Sequence, residues 1–159
     1  MATRLVKKTK VSTADDDKKR FRPNHPEKYM GDADNIIIRS SWELRVFQFC
    51  DNNPNVLRWG SEEIAIPYMK PFPGGYKPAR YFPDLYVEYV DREGSLIKEL
   101  IEVKPEKFTR ASRARNSATK AFENMQYIVN MAKFTAANNW CQQNNVKFSV
   151  LSEKSIFRK

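Results

Sequence analysis

Two apolar segments joined by a short turn constrain this chain more than any other feature. Tyr81 to Val90 and Leu96 to Val103 are rich in aromatic and β-branched residues, so both favour strand. Between them lies Asp91-Arg92-Glu93-Gly94-Ser95. Asp suits the first position of a type I turn and Gly the fourth, where φ turns positive. A three-residue loop of Arg92, Glu93 and Gly94, with the glycine left-handed, is a favoured hairpin connection. That loop sets Asp91 opposite Ser95, and counting outward sets Asp84 opposite Glu102. Opposite residues share a sheet face with Cβ atoms about 5 Å apart. Lys104, two positions beyond Glu102, lies on that face too. A slip of one residue would separate the three groups.

Convergence of these groups has chemical consequences. Two adjacent carboxylates repel, and one takes up a proton unless a cation lies between them. Lys104 supplies one positive charge, and Mg²⁺ or Mn²⁺ would supply two. Mg²⁺ is commonly held by one or two carboxylates plus waters and substrate phosphate oxygens. An ion so bound polarises a scissile phosphate and helps turn water into hydroxide. Lys104 would orient or deprotonate that water, or offset charge growing on the phosphate. The competing explanation is an exposed cross-strand Asp–Lys–Glu cluster, which is common and contributes little. Phe82 and Tyr86 share the predicted face of Asp84, and Leu100 shares that of Glu102, which favours a cleft over an open surface.

Asp84 and Glu102-Val103-Lys104 resemble the PD-(D/E)xK motif of the restriction-endonuclease-like nucleases. The resemblance implies an α/β fold with an α-β-β-β-α-β core, a mixed central sheet flanked by helices and the acids on a central hairpin. It further implies that Asp84 and Glu102 ligate a metal ion, with the backbone carbonyl of Val103 as a further ligand and Lys104 as the catalytic lysine.

The order of elements agrees with that core. Ser40 to Cys50 has amphipathic helical spacing, with Trp42, Val46, Phe49 and Cys50 as its stripe. Asp51-Asn52-Asn53-Pro54 ends it. Glu43 has two readings. Ser40-x-x-Glu43 forms a capping box, and many nucleases resembling this chain carry a Glu on the first helix that faces the metal, a role favoured slightly here. Glu62 to Tyr68 alternates and reads as the first strand, with Pro67 marking an edge or an end. Glu63 either lines the cleft or is an exposed strand-end acid. Pro71 to Pro78 is dense in turn signals, reads as a loop, and leads to Arg80 just before the motif. Ser117 to Asn139 reads as a long helix with Phe122, Met125, Ile128, Val129, Ala132 and Ala136 at helical spacing. Gln126 reaches the site from this helix or is simply exposed. Lys147 to Leu151 is a short final strand.

Charge points to the partner. The net charge of +9 favours an anionic ligand, nucleic acid ahead of membrane. No apolar run is long enough to span a bilayer. Lys107, Arg110, Arg113, Arg115 and Lys120 follow directly after Lys104, with Glu106 the sole acid before Glu123. With Arg80, they are the candidate contacts to double-stranded DNA. Residues 1–30 read as a basic, flexible arm, and residues 31–159 as one nuclease-like domain. Cys50 and Cys141 lack a paired motif and read as reduced thiols. His25, the only histidine, lies in a Pro-rich lead-in, so no Ser-His-Asp triad or Cys-His pair can be assembled.

Longer stretches carry a narrower resemblance, to the head-completion nucleases of T-even-type tailed phages. They are Asn24 to Tyr29 with Gly31-Asp32, Arg39 to Glu43, Ser61 to Ile64 with Ile66 to Tyr68, Arg80 to Asp84, and Ile101 to Pro105. The stretch Arg39 to Glu43 is similar to TnsA-like transposon-end nucleases as well. What this resemblance implies is a Mg²⁺-dependent DNA nuclease, with Mn²⁺ substituting, acting in phage head completion before head–tail joining. It would work in the host cytoplasm during assembly and sit at the head–tail neck, with portal or neck proteins as partners. The alternative expectation is a non-catalytic head or neck protein that keeps the fold and binds DNA or portal without cutting.

Overall fold

The computed structural model describes residues 19–152 and Ser155. Most of the basic stretch assigned to the arm, residues 1–18, lies outside the described residues. The segment from Arg20 to Met30, also assigned to the arm, packs into the domain. Strand β1 (Arg20–Phe21) pairs antiparallel with β2 (Ile36–Ile37), and Phe21 and Tyr29 are buried in the core. The buried Asp51 carboxylate accepts the amides of Asn24 (2.7 Å) and His25 (3.0 Å), and Lys28 Nζ donates to the carbonyls of Asp51 and Asn53. Phe21 and Tyr29 supply the apolar anchors that polar composition concealed.

The first helix, α1, spans Ser41–Asn52, and its N-cap Ser40 accepts the Glu43 amide through Oγ. Its buried face is Glu43, Phe47, Cys50 and Asp51; of the expected stripe Trp42, Val46, Phe49 and Cys50 only Cys50 is buried, and Phe49 is 61% exposed. The cause lies in β3 (Val56–Ser61), a strand that sequence pattern missed. Fully buried Trp59 on β3 packs against Phe47 with ring centroids 5.2 Å apart, and Phe21 and Tyr29 close around it. That aromatic cluster turns α1 toward Phe47. A register shift between Val56 and Arg58 breaks the strand's period-two alternation, which hid it.

Strands β4 (Ile66–Phe72) and β5 (Gly75–Tyr81) form a separate antiparallel hairpin. The strand expected over Glu62 to Tyr68 therefore begins later, and the loop expected over Pro71 to Pro78 is mostly paired strand. Pro67, Pro71 and Pro78 fit because a two-stranded ribbon consists only of edges. Gly74, at φ +108°, makes its turn.

The main sheet has the order β3-β6-β7-β8, with β6 at Leu85–Val90, β7 at Leu96–Val103 and β8 at Lys147–Leu151. The first two pairings are antiparallel and β7–β8 is parallel, so the sheet is mixed. Between β7 and β8 runs α2 (Ser117–Asn144), capped by Asn116 and ended by left-handed Asn145. Its buried residues are Val129, Asn130, Phe134, Ala137 and Cys141, whereas the expected core residues Phe122 and Ile128 are 57% and 47% exposed. Burial begins only at Val129, near the middle of the helix, and the helix docks on β4 and β8.

Alternation along β6 and β7 builds a core on each sheet face. Leu85, Val87 and Ile101 pack with α1, Val56 and Trp59. Tyr86 and Leu100 pack with Ile66, Tyr81 and the α2 residues Ala137 and Cys141. Asp84, Glu102 and Lys104 have the parity of Tyr86 and Leu100. Their side chains thus belong to the face shared with α2 and the hairpin.

Candidate metal and phosphate site

Asp91 N donates to Ser95 O at 2.9 Å, Gly94 takes φ +82°, and Val90 pairs with Leu96 and Leu85 with Ile101. One step further places Asp84 opposite Glu102, the register that the turn residues dictate. Phe82-Pro83-Asp84 is not strand; Asp84 sits just outside β6 behind a fully buried Pro83. Two hydrogen bonds clamp the acids across the hairpin. Asp84 N donates to Glu102 Oε2 (3.2 Å), and Val103 N donates to Asp84 Oδ2 (2.7 Å). Lys104 Nζ lies 2.8 Å from Glu102 Oε1.

Glu102 is buried, Asp84 is half-buried, and both line an open cleft of about 390 Å³ between the hairpin and α2. Burial, then the charge of Glu102, push the Asp84 carboxyl up to about 7, against the amide of Val103 and the charge of Lys104. Burial and the same two acids raise the Tyr81 hydroxyl as well. Burial leads both shifts, so the two acids face each other in a poorly solvated wall of the cleft. Among the described residues, no three Asp, Glu, His or Cys side chains come together as a metal-binding group. What the cleft offers is two carboxylates and the neighbouring Val103 carbonyl, all oxygen donors, which suits a hard cation that keeps waters and takes phosphate oxygens.

Other expected residues fall in different places. Arg80 lines the cleft, with its guanidinium 5.5 Å from the Phe82 ring. Lys107, Arg113, Arg115 and Lys120 are exposed, Arg110 is half-buried, and none of the five lines the cleft itself. They lie along the segment from Lys104 into α2. Ser112, bonded to Glu123 and Asn124, and Asn130, bonded to Phe108 O, pin that segment to the helix. Glu43 does not line the cleft. Its amide completes the Ser40 cap, and its buried carboxylate takes the Arg39 amide in place of the expected Ser40 amide. Burial raises its carboxyl, and its charge acts on Asp84. Glu63 does not line the cleft; it accepts the Tyr29 hydroxyl at 2.7 Å. Gln126 is half-buried outside the cleft wall.

Glu62, Lys70 and Lys133 line the cleft and were not anticipated as site residues. Glu62 has φ +52° and pairs with Arg39 at 2.6 Å. A signal for Lys133 was present: it falls at four-residue spacing between Val129 and Ala137, in the middle of the buried stripe. Cys50 and Cys141 are free and buried, and burial raises their thiols to about 12 and about 11, which leaves them unreactive. His25 is surface-exposed beside Glu27, outside the cleft.

A mixed sheet with helices on both faces, carrying two acids and a lysine at the end of its central hairpin, is the architecture of restriction-endonuclease-like nucleases. The chain belongs to the TnsA-like endonuclease N-terminal family, whose model matches residues 53–153. It is 35% identical over 140 residues to the head completion nuclease of Enterobacteria phage T4, covering 84% of this chain and 89% of that protein.

Proposed function

We propose that this protein is a Mg²⁺-dependent DNA nuclease, with Mn²⁺ substituting, that hydrolyses phosphodiester bonds during phage head completion. The observation that carries this reading is the hydrogen-bonded Asp84–Glu102 pair with Lys104 against it in an open cleft. The relative's name supplies head completion as the setting; the proposal extends it to action in the host cytoplasm before head–tail joining, with portal or neck proteins as partners.

Asp84, Glu102 and the Val103 carbonyl would hold the ion. When bound, it supplies positive charge to the phosphate and lowers the pKa of a water. The chain's own residues do the rest. The Val103 amide fixes the Asp84 carboxylate, and the Asp84 amide fixes that of Glu102, so neither acid must be ordered at the moment of reaction. Lys104 Nζ is held at the cleft by Glu102, where it orients the attacking water or offsets charge on the phosphate. Arg80 and the exposed cations between Lys107 and Lys120 neutralise neighbouring phosphates of double-stranded DNA.

The test is cleavage of supercoiled and linear DNA by the purified protein with Mg²⁺, Mn²⁺ or EDTA. Cutting in both metals and none in EDTA is expected. Nicking of closed circles would mark endonucleolytic action, whereas attack on linear DNA alone would mark an exonuclease. DNA binding without cutting under every metal condition would instead identify a head or neck protein that uses the fold for binding.

A further inference from the structure

We infer that Lys133, on α2, is a phosphate-binding residue of the cleft, positioned to contact the substrate from the helix wall opposite the acids' hairpin. The inference rests on the nuclease reading and deepens it by naming a DNA contact on a third element. Lys133 occupies the buried stripe of α2 between Val129 and Ala137, where an apolar residue would ordinarily sit. Its side chain lines the cleft with Asp84, Glu102, Lys104 and Lys70. Its ammonium rests 5.4 Å from the centre of the Tyr81 ring, and among the described residues it forms no ion pair.

That placement is costly without a ligand. Burial, then the charges of Lys104 and Lys70, lower the Lys133 ammonium below the usual lysine range, and Glu102 and Asp84 only partly offset them. A cation bound by the two acids would take up their negative charge, leaving Lys133 and Lys70 to face an anion. The chemistry that satisfies a half-buried ammonium beside a metal site is a phosphate oxygen of the DNA strand held there. Tyr81 serves as the platform, with its ring under Lys133 and its hydroxyl near Glu102.

The experiment compares Lys133→Met and Lys133→Arg with the native protein in Mg²⁺-dependent cleavage. It also measures the salt dependence of DNA binding with and without Lys133→Met, in an Asp84→Asn background that does not cut. Lys133→Met should slow cleavage on the order of 10²-fold, Lys133→Arg should restore most of it, and the slope of log K against log salt should fall by about 0.9. A lysine that only supports packing would change the melting temperature and leave that slope unchanged, which overturns the inference. Native-rate cleavage by Lys133→Met, with Asp84→Asn inactive, overturns the Lys133 role alone. Cleavage by Asp84→Asn at the native rate removes the nuclease reading at this site and the Lys133 inference with it.

Discussion

Replacing Asp84 with Asn should make the metal-free protein more stable at neutral pH. In the folded protein the Asp84 carboxyl is raised to about 7 by burial and by Glu102, whereas in the unfolded chain it titrates near 3.9. Below about pH 4 both states hold the proton, and Asp84 has no charge to desolvate. As pH rises toward 7, the unfolded chain releases its proton while the folded protein retains it, so stability falls across that window and the full cost remains above it. Three units correspond to about 4 kcal/mol, and solvent access to a half-buried carboxyl brings this to roughly 2–4 kcal/mol. Asn keeps an acceptor for the Val103 amide and carries no charge. In EDTA, the native melting temperature should therefore drop between about pH 4 and pH 7 relative to that of Asp84→Asn, and level off above that. The gap at pH 8 should be roughly 4–16 °C for a chain of this size. Mg²⁺ at 100 times its dissociation constant should return about 2.7 kcal/mol to the native protein and little to the variant. Thermal melts followed by circular dichroism at each pH, with EDTA or Mg²⁺, measure both effects. Parallel pH profiles for the two proteins in EDTA, or an equal Mg²⁺ shift in both, would refute the reasoning.

Other consequences concern the core, the N-terminal segment and the basic face. Trp59→Ala should cost about 3–5 kcal/mol in urea unfolding, because it empties a fully buried site against Phe21, Tyr29 and Phe47; a loss below about 1 kcal/mol would contradict the packing. Asp51→Ala removes the acceptor of the Asn24 and His25 amides, so it should cost about 2–4 kcal/mol. It should also speed proteolysis within residues 19–30, and an unchanged cleavage rate there would show that the segment is held by other means. Replacing Arg113, Arg115 and Lys120 together with Gln should leave stability within about 0.5 kcal/mol per site. The same change should lower the salt slope of DNA binding by up to about 2.7, at about 0.9 per phosphate contact; an unchanged slope would remove this segment from the DNA interface.

The central hairpin was legible in the sequence because its turn residues act locally. Asp91 and Gly94 set the loop, the loop sets the register, and the register brings Asp84, Glu102 and Lys104 together without help from the rest of the chain. The final strand, Lys147–Leu151, was legible for a similar reason, since a short β-prone run follows a helix end. The buried faces of both helices were not. Several apolar residues on α1 and α2 compete for the interior, and partners distant in sequence decide which of them win: Trp59 selects Phe47 over Phe49, and β4 and β8 select Phe134 over Phe122. The β4–β5 hairpin was hidden by its prolines, which argue against a central strand but not against a free ribbon. Lys133 carried a spacing signal between Val129 and Ala137, but only tertiary structure shows that this stripe, and not the one through Phe122 and Ile128, is the buried one. Glu62 required the left-handed turn that sends it into the cleft beside Arg39.

The central claim is that one cleft, built on Asp84, Glu102 and Lys104, cuts DNA with a bound divalent cation. Its most direct measurement is single-turnover cleavage of one DNA substrate in Mg²⁺ by the native protein, Asp84→Ala and Lys104→Ala, each verified as folded by circular dichroism. The account predicts cutting by the native protein and loss of at least a hundredfold in each variant, on the order expected when one catalytic group is removed. Native-rate cutting by either folded variant would contradict it.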